Sequence, residues 1–173
     1  MKKVSKRPSA FLDRDGVLNK DTGFAHKPSQ IEWISGAKAA VAFLKNQGYL
    51  VFVVTNQSGI ARGLYTEDDV ERLHAWMNKE LLEAGSSPID DFRYSPYHPE
   101  FDNGHYSDFK DWRKPSPGMI LDIMENWPVD NTKSFLIGDR NSDIKAAEAA
   151  NIRGFLFDGS DLLSFVEAIL ASQ

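Results

Sequence analysis

Two aspartates stand two positions apart near the start of the chain, where a short apolar run gives way to a glycine. Asp13 and Asp15 follow the apolar residues at positions 10–12, and Gly16 comes next. Side chains at positions i and i+2 of an extended segment point the same way, so both carboxylates can face one point in space. One of them can then act as a nucleophile or metal ligand while the other donates or accepts a proton.

Two simpler explanations compete for this aspartate pair. A strand that runs into a polar turn gives the same short motif without any chemistry. A calcium-binding loop needs glycine at its sixth position and a chelating glutamate at its twelfth. Counting from Asp13, those positions hold Leu18 and Phe24, which excludes the calcium loop. The case for chemistry therefore depends on further segments downstream.

Three more polar segments follow predicted strands or precede a predicted helix. They are Thr55-Asn56-Gln57-Ser58-Gly59, Arg113-Lys114-Pro115 and Gly138-Asp139-Arg140-Asn141-Ser142-Asp143. Taken alone, the first has the composition of an ordinary loop, the second could be a solvated turn, and the third could be a helix entry with acidic capping. Ligands bind beyond the carboxyl ends of the strands in a parallel sheet, however. Four such segments at one edge of a sheet together predict an active site.

These residue types fit phosphoryl transfer. Asp13 would attack phosphorus and form an aspartyl-phosphate. Mg²⁺ prefers hard oxygen ligands, which Asp13, Asp139 and the backbone carbonyl of Asp15 could supply. The Thr55 hydroxyl and the amides of the loop after it can hold phosphate oxygens, and Lys114 can neutralise the transferred group.

The identity of Asp15 bears on the kind of leaving group. An alkoxide is strongly basic and needs a proton as the P–O bond breaks, whereas a nucleoside diphosphate does not. A carboxylic acid two residues after the nucleophile therefore favours an alcohol or sugar leaving group over ATP. Once ionised, the same carboxyl group can activate water against the acyl-phosphate.

Apolar runs that alternate with helical patterns predict an α/β fold with a doubly wound parallel sheet. Strands are predicted over residues 9–13, 50–54, 134–137 and 155–157, and helices over 36–47, 142–150 and 162–170. A capping box at residues 66–69 opens another helix, and a further helix is predicted to start with Ser116 as cap and Pro117 at its first position. Two stretches, 20–34 and 95–112, lack a clear period, and we expect both to border the active site.

Length and composition bound the class of protein. The chain has 173 residues, a hydrophobic share of 42% and a net charge of −5, which predicts one domain over residues 1–173. No basic stripe interleaved with aromatics occurs, so we expect no nucleic-acid partner. No signal-peptide core or membrane-length apolar stretch occurs, so we expect a cytoplasmic protein without membrane contact. We also expect a monomer, and the lack of cysteine excludes disulfides and thiol catalysis.

The four segments resemble the four motifs of haloacid dehalogenase superfamily phosphatases. The match runs from Phe11 to about Phe157. Residues 11–19 are similar to motif one, 53–59 to motif two, 113–115 to motif three and 137–140 to motif four. The longer strings at 55–63 and 113–119 are similar to the branch of heptose-1,7-bisphosphate 7-phosphatases and histidinol-phosphate phosphatases.

The resemblance implies a Rossmann-like haloacid dehalogenase fold without a large cap domain. It implies that Asp13 is the nucleophile and Asp15 the acid/base, and that Thr55 and Lys114 stabilise the phosphoryl group. The predicted Mg²⁺ ligands are Asp13, Asp15 and Asp139, and the predicted substrate-binding residues are Asn56, Gln57, Ser58, Arg113 and Arg140.

One part of the branch pattern is missing. The branch usually carries a zinc loop with a Cys-x-His start and a Cys-x-Cys end, and here those stretches are residues 95–98 and 110–112, without cysteine. A tetrahedral zinc site needs about four ligands. The loop does contain His98, Asp102, His105 and Asp108. We expect no zinc, and we expect the changed loop to affect the choice of substrate more than the reaction.

The expected function is that of a Mg²⁺-dependent phosphomonoesterase acting on a small sugar phosphate, a heptose 1,7-bisphosphate at its 7-phosphate. Histidinol phosphate or another small phosphate ester is the alternative within the enzyme class. A phospho-accepting receiver domain is the alternative from another class, because it too uses Asp, Mg²⁺, Thr and Lys beside a parallel sheet. Its phosphorylated aspartate ends a later strand, whereas here the strand at 50–54 is followed by Thr55.

Overall fold

One sheet of parallel strands forms the centre of the fold. The computed structural model describes residues 5–172, and its strands are β1 (Ser9–Leu12), β2 (Leu50–Asn56), β3 (Asp91–Ser95), β4 (Phe135–Gly138) and β5 (Arg153–Leu156). Their order is β3-β2-β1-β4-β5, and every neighbouring pair is parallel. The chain therefore builds outward from β1 in both directions, which confirms the predicted doubly wound sheet.

Helices cover both faces of the sheet. They are α1 (Ala37–Asn46), α2 (Glu67–Glu83), α3 (Gly118–Asn126), α4 (Asn141–Ala149) and α5 (Leu162–Ala171). Side chains alternate along a strand, so Val51 and Val53 of β2 pack with α1, α2 and α5, while Phe52 and Val54 pack with α3 and α4. In the part of the chain described, no helix has both the length and the apolar character to cross a membrane.

The sequence predicted the first residues of two helices, one at residues 66–69 and one at Ser116 and Pro117, and the structure agrees with the first prediction only. The Thr66 hydroxyl accepts from the Asp69 amide at 3.2 Å, and the Asp69 carboxylate accepts from the Thr66 amide at 2.9 Å, which confirms the capping box. The expectation for Ser116 and Pro117 is wrong, because α3 starts at Gly118 with Pro117 as its N-cap residue. Ser116 belongs to the preceding turn, where its amide donates to the Arg113 carbonyl at 2.9 Å.

The edge strand β3 has no counterpart among the predicted strands. Its residues, Asp91–Ser95, are mostly half-buried and include an aspartate and an arginine, so they lack the apolar run that marks β2. Pairing with β2 defines this strand, with Val54 opposite Arg93 and Asn56 opposite Ser95. Ser95 consequently ends a strand, and the irregular loop that follows contains a 3₁₀ helix at Ser107–Trp112.

Candidate active site

The predicted site residues meet at the carboxyl edge of the sheet, around a cavity of about 530 Å³. Asp13 follows β1, Thr55 and Asn56 end β2, and Asp139 follows β4. All of the residues predicted for the site line this cavity except Asp139. Loops 20–34 and 95–112 contribute Phe24 and His98 to its wall. A volume of this size is typical of a site for a small molecule.

A buried ammonium group joins two carboxylates at the bottom of the cavity. Lys114 Nζ lies 3.1 Å from Asp13 Oδ1 and 2.5 Å from Asp143 Oδ1, and it also donates to the Val54 carbonyl at 2.8 Å. Lys114 is only 4% exposed. Burial alone would lower the pKa of Lys114, but the two carboxylates outweigh it and raise that pKa above its ordinary value. The side chain is therefore a fixed positive charge beside the predicted nucleophile.

The environment of Asp13 has opposing effects on its ionisation. Burial raises the pKa of the Asp13 carboxyl, the charge of Lys114 lowers it, and the nearby carboxylates of Asp143 and Asp15 raise it again. The Arg14 amide donates to Asp13 Oδ1 at 2.7 Å, which stabilises the ionised form. A cation beside the carboxylate would favour that form further.

Three carboxylates form a group that fits a divalent metal ion. One oxygen each from Asp13, Asp139 and Asp143 lies within 4.8 Å of the others. Asp139 Oδ1 is buried and has no hydrogen-bond partner among the described residues, and burial together with Asp143 raises the pKa of Asp139. Hard cations such as Mg²⁺ take oxygen ligands of this kind. The predicted contribution of the Asp15 backbone carbonyl stays a prediction.

Glycine at position 16 allows this acidic group to form. Gly16 has φ of 88°, a left-handed conformation, and a Cβ atom built there would overlap the Asp139 carboxylate. Any larger residue would push the loop after Asp15 away from the loop after β4. The glycine in the Asp-Arg-Asp-Gly motif is thus required by the close approach of two strand ends.

The Asp15 carboxylate is held by four side-chain donor groups. Arg14 donates to it from Nε at 3.2 Å and from Nη2 at 3.0 Å, Asn19 donates at 2.9 Å, and Gln57 donates at 3.0 Å. Its side chain is 22% exposed and lines the cavity. The carboxylate is consequently fixed in direction while it can still reach a bound ligand.

Asn56 and Gln57, which are predicted to bind substrate, also have polar contacts with other residues around the cavity. The Asn56 amide bonds to both backbone groups of Lys114, at 3.0 and 3.1 Å. Gln57 donates to Asp15 and to Thr55 Oγ1, and accepts from the Tyr65 hydroxyl at 2.6 Å. Both amides line the cavity. These bonds show that they support Lys114, Asp15 and Thr55, and their predicted contact with substrate stays a prediction.

Three arginines surround the outer part of the cavity. Arg62, Arg113 and Arg140 all line it. Arg140 is paired with Asp21 at 3.0 Å, whereas neither Arg62 nor Arg113 forms an ion pair within residues 5–172. Burial, and then the charges of Arg62 and Arg140, lower the pKa of Arg113. This arrangement has an excess of positive charge that an anionic ligand would relieve.

Arg62 also connects the two irregular loops. Its guanidinium lies 3.9 Å from the ring centroid of Phe101 and 5.3 Å from that of Phe24. Phe24 belongs to the loop at 20–34 and Phe101 to the loop at 95–112. Cation–π contacts of this kind contribute roughly 0.5–1 kcal/mol each when exposed. They place both loops beside the mouth of the cavity.

Asp143 and Arg62 are site residues for which the sequence predicted no role. Asp143 lies in the first turn of α4, one helical turn beyond Asp139, and only 1% of it is exposed. An acidic residue at that spacing is also expected as a helix cap, and Asp143 does accept from the Arg140 amide at 3.0 Å. The spacing of Asp143 from Asp139 was visible in the sequence, but it did not distinguish a helix cap from a candidate metal ligand. For Arg62, nothing local indicates that it reaches the cavity.

Comparison with known proteins agrees with this geometry. Residues 111–159 match the family model described as HAD-hydrolase-like. A D-glycero-beta-D-manno-heptose-1,7-bisphosphate 7-phosphatase from Rhodopseudomonas palustris is 49% identical over 165 residues, or 95% of this chain and 91% of that protein. The corresponding alpha-anomer phosphatase from Burkholderia mallei is 42% identical over 147 residues, or 85% and 77%.

A solved structure shows the same fold. D,D-heptose 1,7-bisphosphate phosphatase from B. bronchiseptica, complexed with magnesium and phosphate, matches with a TM-score of 0.81 and 30% identity, covering 96% of this chain and 99% of that one. The fold and the site thus define a haloacid dehalogenase superfamily phosphatase, an enzyme that hydrolyses phosphoric monoesters. The chain belongs to the heptose-1,7-bisphosphate 7-phosphatase family. The resemblance seen in the sequence is confirmed, and the receiver-domain alternative is wrong.

Proposed function

We propose that the enzyme hydrolyses the 7-phosphate of D-glycero-D-manno-heptose 1,7-bisphosphate, with Mg²⁺, through an aspartyl-phosphate on Asp13. The observation that carries this proposal is the buried Lys114 ammonium between Asp13 and Asp143, at the bottom of a cavity lined further out by arginines. That arrangement offers one place for a phosphoryl group under attack and another for a second anion.

The first half-reaction transfers the phosphoryl group to the enzyme. Both polar contacts of the Asp13 carboxylate among the described residues fall on Oδ1, which leaves Oδ2 for attack on phosphorus. The bond from phosphorus to the ester oxygen breaks, and Asp15, in its protonated form, gives that oxygen a proton. Lys114 and the Thr55 hydroxyl stabilise charge on the transferred group.

The second half-reaction releases phosphate. Asp15 is now ionised, and it removes a proton from a water molecule that attacks the aspartyl-phosphate. The acyl-phosphate P–O bond breaks, Asp13 returns to a carboxylate and inorganic phosphate leaves. The donors around Asp15 keep it in one direction for both proton transfers, because Asn19 binds one carboxylate oxygen and Gln57, from the loop after β2, binds the other.

Asp13, Asp139 and Asp143 would hold Mg²⁺, since the three carboxylates cluster and Asp139 has an unpaired buried oxygen. When bound, the metal offsets the repulsion between the anionic nucleophile and the anionic substrate. The magnesium in the B. bronchiseptica structure supports this choice of ion. We retain the expectation that zinc is not required.

The arginines favour a bisphosphate over other small esters. A guanidinium can bind a phosphate through two parallel hydrogen bonds, and both Arg62 and Arg113 lack an acidic partner in the described chain. Histidinol phosphate, the alternative substrate, carries an ammonium group in place of a second phosphate. That cation would be repelled by Arg62 and Arg113, so the charge of this cavity favours the sugar bisphosphate.

The test is a panel of phosphate-release assays with Mg²⁺. The substrates are both anomers of heptose 1,7-bisphosphate, the heptose 7-monophosphate and histidinol phosphate. We expect kcat/KM to be highest for a bisphosphate anomer and at least about 10-fold lower for the monophosphate, the cost of one charge-assisted contact. A preference for histidinol phosphate would overturn the proposed substrate but leave the phosphatase chemistry intact. The cytoplasmic location, the single domain and the monomeric state remain parts of this proposal.

A further inference from the structure

A buried histidine on α2 contacts the catalytic machinery from outside the cavity. His74 is only 4% exposed, and its Nε2 atom lies 3.3 Å from Arg14 Nη1. It does not line the cavity that contains Asp15. Burial, and then the charge of Arg14, lower the pKa of His74 well below its ordinary value, so the imidazole is neutral. The mechanism above gives this side chain no role.

Arg14 is completely buried, and each of its guanidinium nitrogens has an acceptor. Nε and Nη2 donate to the Asp15 carboxylate, Nη2 also donates to the Ala25 carbonyl at 2.7 Å, and Nη1 faces His74. Arginine can only donate, so Nε2 of His74 must be the acceptor and the imidazole proton lies on Nδ1. Without His74, Nη1 would be a buried charged group with no other recorded acceptor among the described residues. A buried charged donor without an acceptor destabilises the folded protein.

Aromatic packing fixes the direction of the imidazole. The ring of Phe92 stacks on His74 with centroids 4.4 Å apart and planes inclined by 15°, and Tyr94 approaches at 6.3 Å and 60°. The Tyr94 hydroxyl is itself bound to Glu67 and Glu71 of α2. This packing therefore fixes the position of His74 Nε2, and the contact with Nε2 in turn orients the Arg14 guanidinium.

We propose that His74 is a positioning residue for proton transfer by Asp15. By accepting from Nη1 it holds the Arg14 guanidinium in the plane that binds Asp15 through two nitrogens, so the carboxyl group stays directed at the leaving oxygen. Small displacements of a catalytic group lower the rate strongly, because proton transfer depends on distance and angle. The inference rests on the proposed acid/base role of Asp15.

The test compares substrates whose leaving groups differ in their need for a proton. kcat/KM is measured for an alkyl phosphate and for nitrophenyl phosphate in the wild type, in His74→Phe and in His74→Gln. His74→Phe keeps a ring against Phe92 but removes the acceptor, whereas His74→Gln keeps an acceptor oxygen. We expect His74→Phe to lower kcat/KM about 10-fold on the alkyl ester and less than about 2-fold on the nitrophenyl ester. His74→Gln should recover most of the loss.

Two further variants separate the ways in which this inference could fail. Asp15→Asn is the reference, because loss of the acid itself must give the same preference for nitrophenyl phosphate. Leu81→Ala removes a buried side chain of α2 away from Arg14, so it reports the effect of destabilising the helix. An equal loss on both esters in His74→Phe, or the selective loss also in Leu81→Ala, would overturn the role of His74. If Asp15→Asn shows no leaving-group dependence, the proposed acid role of Asp15 fails instead.

An inactive His74→Phe protein is also informative. Its melting temperature and far-ultraviolet circular dichroism are compared with those of His74→Gln. If the phenylalanine variant does not fold, the glutamine variant carries the test, since it loses only the stacked ring. Selective loss on the alkyl ester in His74→Gln, with the fold intact, would then overturn the inference that the acceptor atom is what matters.

Discussion

The side-chain amide of Asn56 pairs with both main-chain polar groups of Lys114, although the two residues are 58 positions apart. Asn56 Oδ1 accepts from the Lys114 amide at 3.0 Å, and Asn56 Nδ2 donates to the Lys114 carbonyl at 3.1 Å. The end of β2 is thereby joined to the turn before α3. This pair sets where the Lys114 ammonium enters the cavity, and with it the distance to Asp13.

Replacing Asn56 with alanine tests this link. Asn56→Ala removes both bonds while leaving the strand in place, so Lys114 should lose its defined position. We expect kcat to fall roughly 10²-fold, because a misplaced stabilising group acts mainly in the transition state. KM should change by less than about 3-fold. Leu64→Ala, at an exposed position on the same loop that does not line the cavity, is the control, and an equal effect there would argue against the link.

Asp13→Asn should remove nearly all turnover. The substitution keeps the size of the side chain but removes the anionic nucleophile and one charged metal ligand. We expect a loss of at least about 10³-fold in kcat, as for other covalent nucleophiles. The fold should be retained, which circular dichroism checks, and Asp108→Asn in the exposed loop serves as control. Activity close to that of the wild type would rule out the covalent mechanism.

Metal removal should stop catalysis without unfolding the protein. EDTA is expected to abolish phosphate release and Mg²⁺ to restore it. Asp143→Asn should raise the Mg²⁺ concentration for half-maximal activity roughly 10–100-fold, the usual effect of disturbing the surroundings of a metal. Elemental analysis should find no stoichiometric zinc, because the loop at 95–112 has no cysteine. One tightly bound zinc per chain would contradict that expectation.

Arg113→Lys should weaken the discrimination between a bisphosphate and its monophosphate analogue. The substitution keeps the charge but loses the planar fork that binds phosphate through two hydrogen bonds. We expect the ratio of kcat/KM for the two substrates to fall about 10-fold, with turnover of a small generic ester spared. Arg153→Lys, at an exposed position of β5, is the control. An equal loss on both substrates would mean that Arg113 supports the chemistry or the loop.

The buried His74 should make the protein less stable in mild acid. Its pKa in the folded state lies below the ordinary histidine value of 6.5. Below pH 6.5, His74 therefore binds a proton in the unfolded chain but not in the folded protein, which favours unfolding. The free energy of unfolding should fall by up to about 1.4 kcal/mol per pH unit from that pH until the folded-state pKa is reached.

Urea titrations of the wild type and His74→Phe, from neutral pH down to about pH 5, check this sign. The variant lacks the titrating group, so its stability should decline less steeply, while all other ionisable groups are common to both proteins. Parallel pH dependences in the two proteins would show that His74 can take up its proton without unfolding.

The sequence by itself determined which polar residues meet at one edge of the sheet. Asp13, Thr55 and Asp139 each follow an apolar strand pattern, and parallel strands place their carboxyl ends together. The i, i+2 spacing alone puts Asp13 and Asp15 on one side of the segment. These are local properties of a few adjacent residues, so they can be predicted without knowledge of the rest of the chain.

The tertiary structure decided which partner each polar side chain takes. Gln57 binds Asp15, which is 42 positions away, and Arg14 meets His74, which is 60 positions away. Asp143 joins the cluster of Asp13 and Asp139 only because α4 starts beside Lys114. A side chain's type states what bonds it can form, but the choice among distant partners depends on packing of the whole chain. For the same reason β3 was not predicted: its residues form a strand because β2 provides the hydrogen bonds.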